Sequence, residues 1–118
     1  MKKSKGFTLA ELLIVVAIIA VLVAISIPIF TSQLEKAREA TDMANLRVAY
    51  SEVSSDLLVW DGTSNINNVT VNAVQTQANW QTNNSGTENI GGLNVNAKTK
   101  NSNWVVSADT TNMAVVIN

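Results

Sequence analysis

The 118-residue sequence contains no cysteine and no histidine. Without cysteine the chain can form no disulfide bond, and without either residue it offers no thiolate or imidazole ligand for a metal ion. The same absences exclude cysteine–histidine and serine–histidine–aspartate catalysis. No pair of carboxylates suited to acid–base chemistry converges in the pattern. We therefore expect no metal, no cofactor and no enzymatic activity.

Basic residues are scarce outside the first six positions. The chain has eight Lys and Arg against nine Asp and Glu, and three of the lysines precede Gly6. Without residues 1–6, five basic and nine acidic side chains remain, a charge of −4. Nucleic-acid binding needs a cluster of basic residues. We expect no specific nucleic-acid site.

What the sequence does contain is a long apolar run near its start. Leu12 to Ile25 is uninterrupted, and Glu11 is the single charged residue within residues 7–30. As a helix, this stretch extends roughly 36 Å at ~1.5 Å per residue, whereas a bilayer core is ~30 Å thick. The lysines before it should stay in the cytoplasm, which places residues 31–118 outside.

This pattern is open to three interpretations. A signal anchor needs just the basic flank and the apolar run. A cleaved secretory signal needs a shorter apolar region and a small-x-small site, which Ile27–Phe30 does not provide. The third depends on the residues at the front, Lys5-Gly6-Phe7-Thr8-Leu9-Ala10-Glu11. They resemble the processing motif of class III signal peptides in type IV pilins and pseudopilins, and the match extends to Phe30 and includes Pro28.

The resemblance implies a maturation step and a mode of assembly. A prepilin peptidase should cleave between Gly6 and Phe7 and N-methylate Phe7, so that residues 1–6 are a leader and the apolar stretch is retained. The Glu11 carboxylate should then pair with the new Phe7 amine of a neighbouring subunit; the alternative is a glutamate facing lipid headgroups. The residues expected to act in assembly are Glu11, Pro28, Leu9, Leu12 and Leu13.

Helix-favouring residues resume directly after Pro28. We expect a continued, bent helix rather than an end at Ile27, although proline removes one helical hydrogen bond. Within residues 31–60 an apolar stripe recurs at spacings of three and four, which predicts an amphipathic helix. Fewer than three heptads argue against an isolated coiled coil. This stripe should be the face on which the C-terminal part packs, and the helix should end at Asp61-Gly62. The residues of the stripe are Met43, Leu46, Tyr50, Val53, Leu57 and Trp60.

Other faces of this helix carry small and charged residues. One set, which would allow close approach of another helix in a bundle, consists of Leu34, Ala37, Ala44 and Val48. A charged set, expected on the exposed part, consists of Glu35, Arg38, Glu39 and Asp42. We expect an Arg38–Asp42 pair at i,i+4, or ion pairs between subunits of a filament.

Beyond Trp60 the composition changes. Residues 61–118 contain fourteen asparagines, whereas Asn45 is the single one before them. Asparagine and glycine favour turns, and short apolar alternations between them predict strands. The predicted strands lie at residues 69–71, 93–95, 104–106 and 113–117, with the last two forming a hairpin and Gly91-Gly92 a turn. Residues 75–89 are too polar to assign.

The expected fold class is therefore α+β, a long N-terminal helix on a small antiparallel sheet of three to four strands, which resembles the pilin fold. Trp60, Trp80 and Trp104 are expected in the core or at a sheet edge. Asp61–Asn65 has weak similarity to a calcium loop, but no bidentate acid follows at the required spacing. The sequons Asn68-Val69-Thr70 and Asn83-Asn84-Ser85 are expected by chance in an asparagine-rich segment.

These observations predict four segments: a leader (1–6), a transmembrane and assembly helix (7–30), its amphipathic continuation (31–60) and a β-rich head (61–118). The predicted function is the major structural subunit of a type IV pilus serving motility, adhesion or DNA uptake. A pseudopilin of a type II secretion or competence system, or a non-assembling surface protein, is the alternative.

The resemblance also implies the partners and the location of the chain. The expected partners are identical subunits in a helical filament, the membrane before assembly, the prepilin peptidase and the pilus assembly machinery. The precursor should lie in the cytoplasmic membrane of a bacterium and the assembled subunit at the cell surface. Because cysteine-free pilins occur in Gram-positive bacteria, the absence of cysteine favours such a source.

Overall fold

The computed structural model describes residues 6–81 and 86–118. The chain divides into two compact units, the first ending at Gln33 and the second comprising Leu34–Asn118. We call the second the head unit. The N-terminal lysines and the second sequon lie outside the described residues.

One helix precedes five strands. The elements are α1 (Leu9–Leu58), β1 (Val69–Asn72), β2 (Thr87–Ile90), β3 (Leu93–Asn96), β4 (Asn103–Asp109) and β5 (Ala114–Ile117). The strands form two antiparallel sheets, one with the order β1-β4-β5 and one of β2 and β3. The α+β prediction is confirmed, as is the terminal hairpin of β4 and β5. An antiparallel sheet of three strands is present as predicted, but the strand predicted at residues 93–95 is not part of it, because β3 pairs with β2 in a separate hairpin.

In the first unit the helix continues through Pro28. Proline has no amide hydrogen, so one carbonyl of the preceding turn loses its helical donor. The Thr31 hydroxyl donates to the carbonyl oxygens of Pro28 and Ile27 at 3.0 and 3.2 Å. A helix end at Ile27 is thus not observed.

The core of the head unit lies between the C-terminal part of α1 and the inner faces of the sheets. Leu46, Ala49, Val53 and Leu57 recur at three- and four-residue spacings, which places them on one face of the helix. The sheets and their connections contribute the remaining buried apolar residues, Val71, Ala73, Trp80, Ile90, Val95, Trp104, Val106 and Val115.

The two buried tryptophans are at the centre of this core. Trp80 and Trp104 are 0% and 1% exposed, and their rings stack with centroids 6.1 Å apart. Each indole N–H donates to a backbone carbonyl of β3, that of Val95 at 2.9 Å and that of Asn96 at 2.8 Å. A buried indole needs such a partner, so the ring pair fastens the β2–β3 hairpin to the rest of the head unit.

The helix ends earlier than predicted. Its last residue is Leu58 rather than one next to Asp61-Gly62. After it, the Trp60 indole donates to the Ser64 carbonyl at 2.5 Å, and the Asp61 carboxylate accepts the amides of Thr63 and Ser64. These bonds favour a turn over a further helical turn, because a short acidic side chain competes for nearby backbone amides.

Candidate functional site

The start of α1 is closed by a reciprocal pair of hydrogen bonds. The Thr8 hydroxyl accepts the Glu11 amide at 3.2 Å, and the Glu11 carboxylate accepts the Thr8 amide at 3.1 Å. This is a capping box, which satisfies amides that have no partner within the helix. No capping box was predicted there, although the Thr8-Leu9-Ala10-Glu11 spacing is its sequence signal. Glu11 therefore has a role within its own chain in addition to the one expected between subunits.

Side chains of the apolar stretch are exposed. Phe7 and Leu9 are 88% and 81% exposed, and Leu12 and Leu13 are 55% and 68% exposed. α1 is long and apolar enough to cross a membrane, and no part of its most apolar stretch is buried. Gly6, Phe7, Leu9, Glu11 and the two leucines thus lie together around the first two turns.

Three acidic side chains of α1 point into the head unit. Glu35, Glu39 and Asp42 are 4%, 1% and 0% exposed. Their spacing of four and three residues places them on one helical face, which we call the carboxylate face. It lies against the connection from β1 to the β2–β3 hairpin.

The carboxylate face binds backbone amides of that connection. Asp42 accepts the amides of Val74 at 2.9 Å and Gln75 at 3.0 Å. Glu35 accepts those of Thr76 at 2.8 Å and Gln77 at 3.0 Å, together with the Thr76 hydroxyl at 2.6 Å.

Between Glu35 and Asp42 on the same face, Glu39 accepts the amide of Gln81 at 2.6 Å. Gln81 directly follows the buried Trp80. Five backbone amides thus have a carboxylate as acceptor, and hydrogen bonds to ionised acceptors are the stronger kind.

The pKa directions follow from this geometry. Burial raises the pKa of Glu35, but hydrogen bonds from Thr76, Gln77 and Arg38 outweigh it and hold that pKa below its ordinary value. For Asp42, burial outweighs the amides of Gln75 and Val74, and the charge of Glu35 adds to it, so its pKa is raised.

The prediction that these acids are exposed is wrong. The expected Arg38–Asp42 pair is wrong too, since Arg38 contacts Glu35 at 3.6 Å and Asp42 faces Val74 and Gln75. A carboxylate can be buried when donors satisfy it, and here the donors are amides of a segment that no periodic pattern marks. The spacing of Glu35, Glu39 and Asp42 was the available signal.

The residues of the apolar stripe differ in how deeply they are buried. Leu46, Val53 and Leu57 are buried, Met43 and Tyr50 pack against them half-buried, and Trp60 is half-buried beyond the helix end. The members of the small-residue set, Leu34, Ala37, Ala44 and Val48, are all exposed.

The structure also describes two weaker site candidates, the calcium-like segment and the first sequon. In the calcium-like segment the Asp61 carboxylate accepts the amides of Thr63 and Ser64 and the Ser64 hydroxyl. Within residues 6–81 and 86–118 no group of three acidic side chains is arranged to hold a metal ion. Asn68 and Thr70 of the first sequon are exposed.

The family match to known proteins lies in the N-terminal part of the chain. The prokaryotic N-terminal methylation motif matches residues 1–27. This motif is the type IV prepilin signal, in agreement with the resemblance of residues 5–11. A curated relative, the prepilin peptidase-dependent protein D of Escherichia coli strain K12, is 50% identical over 50 residues.

The alignment covers 42% of this chain and 34% of the relative, so the chain spans about a third of that protein's length. No solved structure matches this chain.

Proposed function

We propose that the chain is a type IV prepilin, whose mature form is a structural subunit of a pilus filament. The observation that carries the proposal is the methylation motif over residues 1–27. Within it, Gly6-Phe7 is the pair that resembles a prepilin cleavage and methylation position. The relative named for its dependence on prepilin peptidase supports the same processing. A prepilin peptidase removes residues 1–6 and methylates the new N-terminus at Phe7.

Cleavage changes the charge at the start of α1. It removes the lysines of the leader and leaves one amine on Phe7, four residues from Glu11. In a medium of low dielectric, that amine and the Glu11 carboxylate of a neighbouring copy attract each other strongly. The pair fixes the axial register of one subunit against the next.

Before assembly the apolar helix holds the subunit in the cytoplasmic membrane. In the filament, the exposed apolar side chains of residues 9–30 pack against the same segments of neighbouring copies. Leaving water contributes ~0.8 kcal/mol per buried CH₂, so the filament does not dissolve. Lipid is equally apolar and extraction gains little, so the assembly machinery supplies the energy.

Mass spectrometry of the mature N-terminus tests the processing step. The expected N-terminal residue is methylated Phe7, and an intact Met1 in membrane and surface fractions would refute the proposal. Electron microscopy of material sheared from cells tests the assembly. Long filaments containing this chain are expected; short structures confined to the cell envelope would instead identify a pseudopilin of a secretion or DNA-uptake system.

Substitutions separate the two roles of Glu11. Glutamine is accepted in a capping box, so Glu11→Gln keeps the cap and removes the charge. We expect it to abolish filaments while leaving membrane insertion and cleavage intact, as Glu11→Ala should. Thr8→Ala is the matched control, because it removes half of the capping box and keeps the charge. Normal filaments from Glu11→Gln would exclude the ion pair as the basis of assembly.

A further inference from the structure

The end of the head unit where α1 stops exposes apolar side chains beside acidic ones. Leu58, Val59 and Met113 are 85%, 81% and 56% exposed. Leu58 and Met113 line the same open groove of about 470 Å³, which brings the helix end and the β4–β5 turn together. We call this end the tip surface, and it comprises Leu58, Val59, Met113, Asp56, Asp61 and Asp109.

Nothing in α1 balances the negative charge of the tip surface. The last turn of the helix has no basic residue, and the carbonyls at a helix C-terminus add a partial negative charge. Hydrogen bonds within their own turns hold the pKa values of Asp61 and Asp109 below the ordinary range. Both are therefore ionised at neutral pH.

The other end of the head unit presents basic side chains. Lys36 is exposed at the start of the unit, and Arg38 is half-exposed there while it contacts Glu35 at 3.6 Å. The backbone amide of Lys100 donates to the Gln75 carbonyl at 2.7 Å, which places it beside Val74, 44% exposed. We call this end the base surface, and it comprises Lys36, Arg38, Val74 and Lys100.

The carboxylate face also lies at this end, but its charges point inward. Each of its three side chains accepts backbone amides of the connection after β1. Dipoles of those amides offset part of the negative charge. The side chains that reach the solvent are those of the base surface.

The two surfaces are complementary and far apart. From Leu34 to Leu58 the helix extends ~36 Å, several times the Debye length of ~8 Å at physiological ionic strength, so each end presents its own potential. We propose that the tip surface of one copy binds the base surface of a second copy, with Leu58, Val59 and Met113 packing near Val74 and the acidic and basic side chains forming the rim.

The charges of the two surfaces also favour one arrangement of the copies over another. Two tip surfaces repel each other, which disfavours a symmetric tip-to-tip dimer. A head-to-tail contact is heterologous, leaves one surface free at each end, and produces an open chain of copies. The inference rests on the proposed function, because it adds a contact between heads to a filament in which the N-terminal helices already associate.

Charge reversal tests the contact in the full chain expressed in cells. Lys36→Glu and Asp56→Lys should each reduce the yield of sheared filaments about fivefold, and the double variant should restore it. Arg47→Glu and Glu52→Lys are matched controls, since both residues are exposed on the helix between the two surfaces and carry the same charge changes. Equal loss in variants and controls would overturn the proposal.

A cysteine pair supplies a second readout, because the chain has no cysteine of its own. Val59→Cys combined with Val74→Cys should give a ladder of cross-linked copies on oxidation, whereas each single variant should give no ladder. Processed Phe7 and normal filaments without a ladder would overturn the head-to-tail contact and leave the proposed function standing. An unprocessed N-terminus and no filaments in the unsubstituted chain would refute both.

Discussion

At the scale of single residues, the buried carboxylate of Asp42 stabilises the head unit by accepting backbone amides. Both of its oxygens contact the Val74 amide, and Oδ2 also accepts the Gln75 amide. Burial makes ionisation of Asp42 unfavourable. Removing the carboxylate, however, would leave the buried Gln75 amide and the part-buried Val74 amide without acceptors. An unsatisfied buried donor costs more than an average hydrogen bond contributes.

The substitution Asp42→Asn should destabilise the head unit by about 1–3 kcal/mol. An asparagine whose oxygen takes the Oδ2 position still accepts both amides, but its NH₂ group then takes the Oδ1 position, 2.9 Å from the Val74 amide nitrogen, where two donors oppose each other. Glu35→Gln should cost less, because Oε1 already accepts both Thr76 and Gln77 and the new NH₂ can donate to the Thr76 hydroxyl.

Urea unfolding followed by tryptophan fluorescence measures both free energies. Glu52→Gln, at an exposed position of the same helix, is the control and should change little. A smaller loss for Asp42→Asn than for Glu35→Gln would contradict this account.

The pKa of Glu35 predicts a pH dependence. Since that pKa lies below its ordinary value of 4.5, its contribution to stability is present above pH 4.5 and is lost as the pH falls through the folded-state value. The raised pKa of Asp42 acts oppositely, with a contribution present below 3.8 and lost as the pH rises through the raised value. Replacing Glu35 by glutamine should therefore reduce the loss of stability on acidification. Identical pH profiles for the two proteins would exclude this role of Glu35.

At the scale of elements, the β2–β3 hairpin is held against α1 through its turn. Gly91 and Gly92 have φ values of +60° and +89°, which favour glycine. The Tyr50 ring lies where a Cβ on Gly91 would be, and the Tyr50 hydroxyl donates to the Gly91 carbonyl at 3.3 Å. A Cβ on Gly92 would meet nothing within 4 Å.

This difference predicts unequal costs for two similar substitutions. Gly91→Ala should destabilise the head unit by about 2–4 kcal/mol, from backbone strain and displacement of the Tyr50 ring. Gly92→Ala should cost ~1–2 kcal/mol from strain alone. Thermal unfolding of the two variants measures the difference. Equal losses would show that the ring moves aside freely.

Elements with a regular pattern were predictable, and those held by long-range contacts were not. The stripe in α1 and the alternation in β4 and β5 determine which side faces the core. β2 reads Thr-Glu-Asn-Ile and has no such alternation; it is a strand because β3 follows across the Gly91-Gly92 turn. The amide acceptors of residues 74–77 lie on α1 more than thirty positions away, a distance that local sequence patterns do not encode.

The functional residues likewise include some that the sequence predicts and others that only the fold brings together. Gly6, Phe7 and Glu11 form a short contiguous motif, so the sequence alone was enough to single them out. The base and tip surfaces each combine residues far apart in the chain, such as Lys36 with Lys100 and Asp56 with Asp109. Their juxtaposition depends on the packing of α1 against the sheets, so a scan along the chain does not detect them.

At the scale of the whole molecule, the second unit contains all that its core requires. Among residues 6–81 and 86–118, every buried apolar residue lies between Leu46 and Val115, and the unit begins at Leu34, just before the carboxylate face. The apolar stretch of the first unit contributes no buried residue. The core of the head unit is therefore formed without the apolar stretch of the first unit.

A chain that begins at Leu34 should consequently fold without the apolar helix, and one that begins at Met43 should not. The longer chain keeps Glu35, Glu39 and Asp42, whereas the shorter one keeps the apolar stripe but leaves five backbone amides without their acceptors. At ~0.5–1.5 kcal/mol for each hydrogen bond, that loss approaches the ~5 kcal/mol of stability typical of small domains. Near-ultraviolet circular dichroism of the stacked Trp80 and Trp104 rings measures folding in each chain. A native spectrum and a cooperative transition from the chain that begins at Met43 would show that the stripe alone specifies the head unit and that the carboxylate face is dispensable.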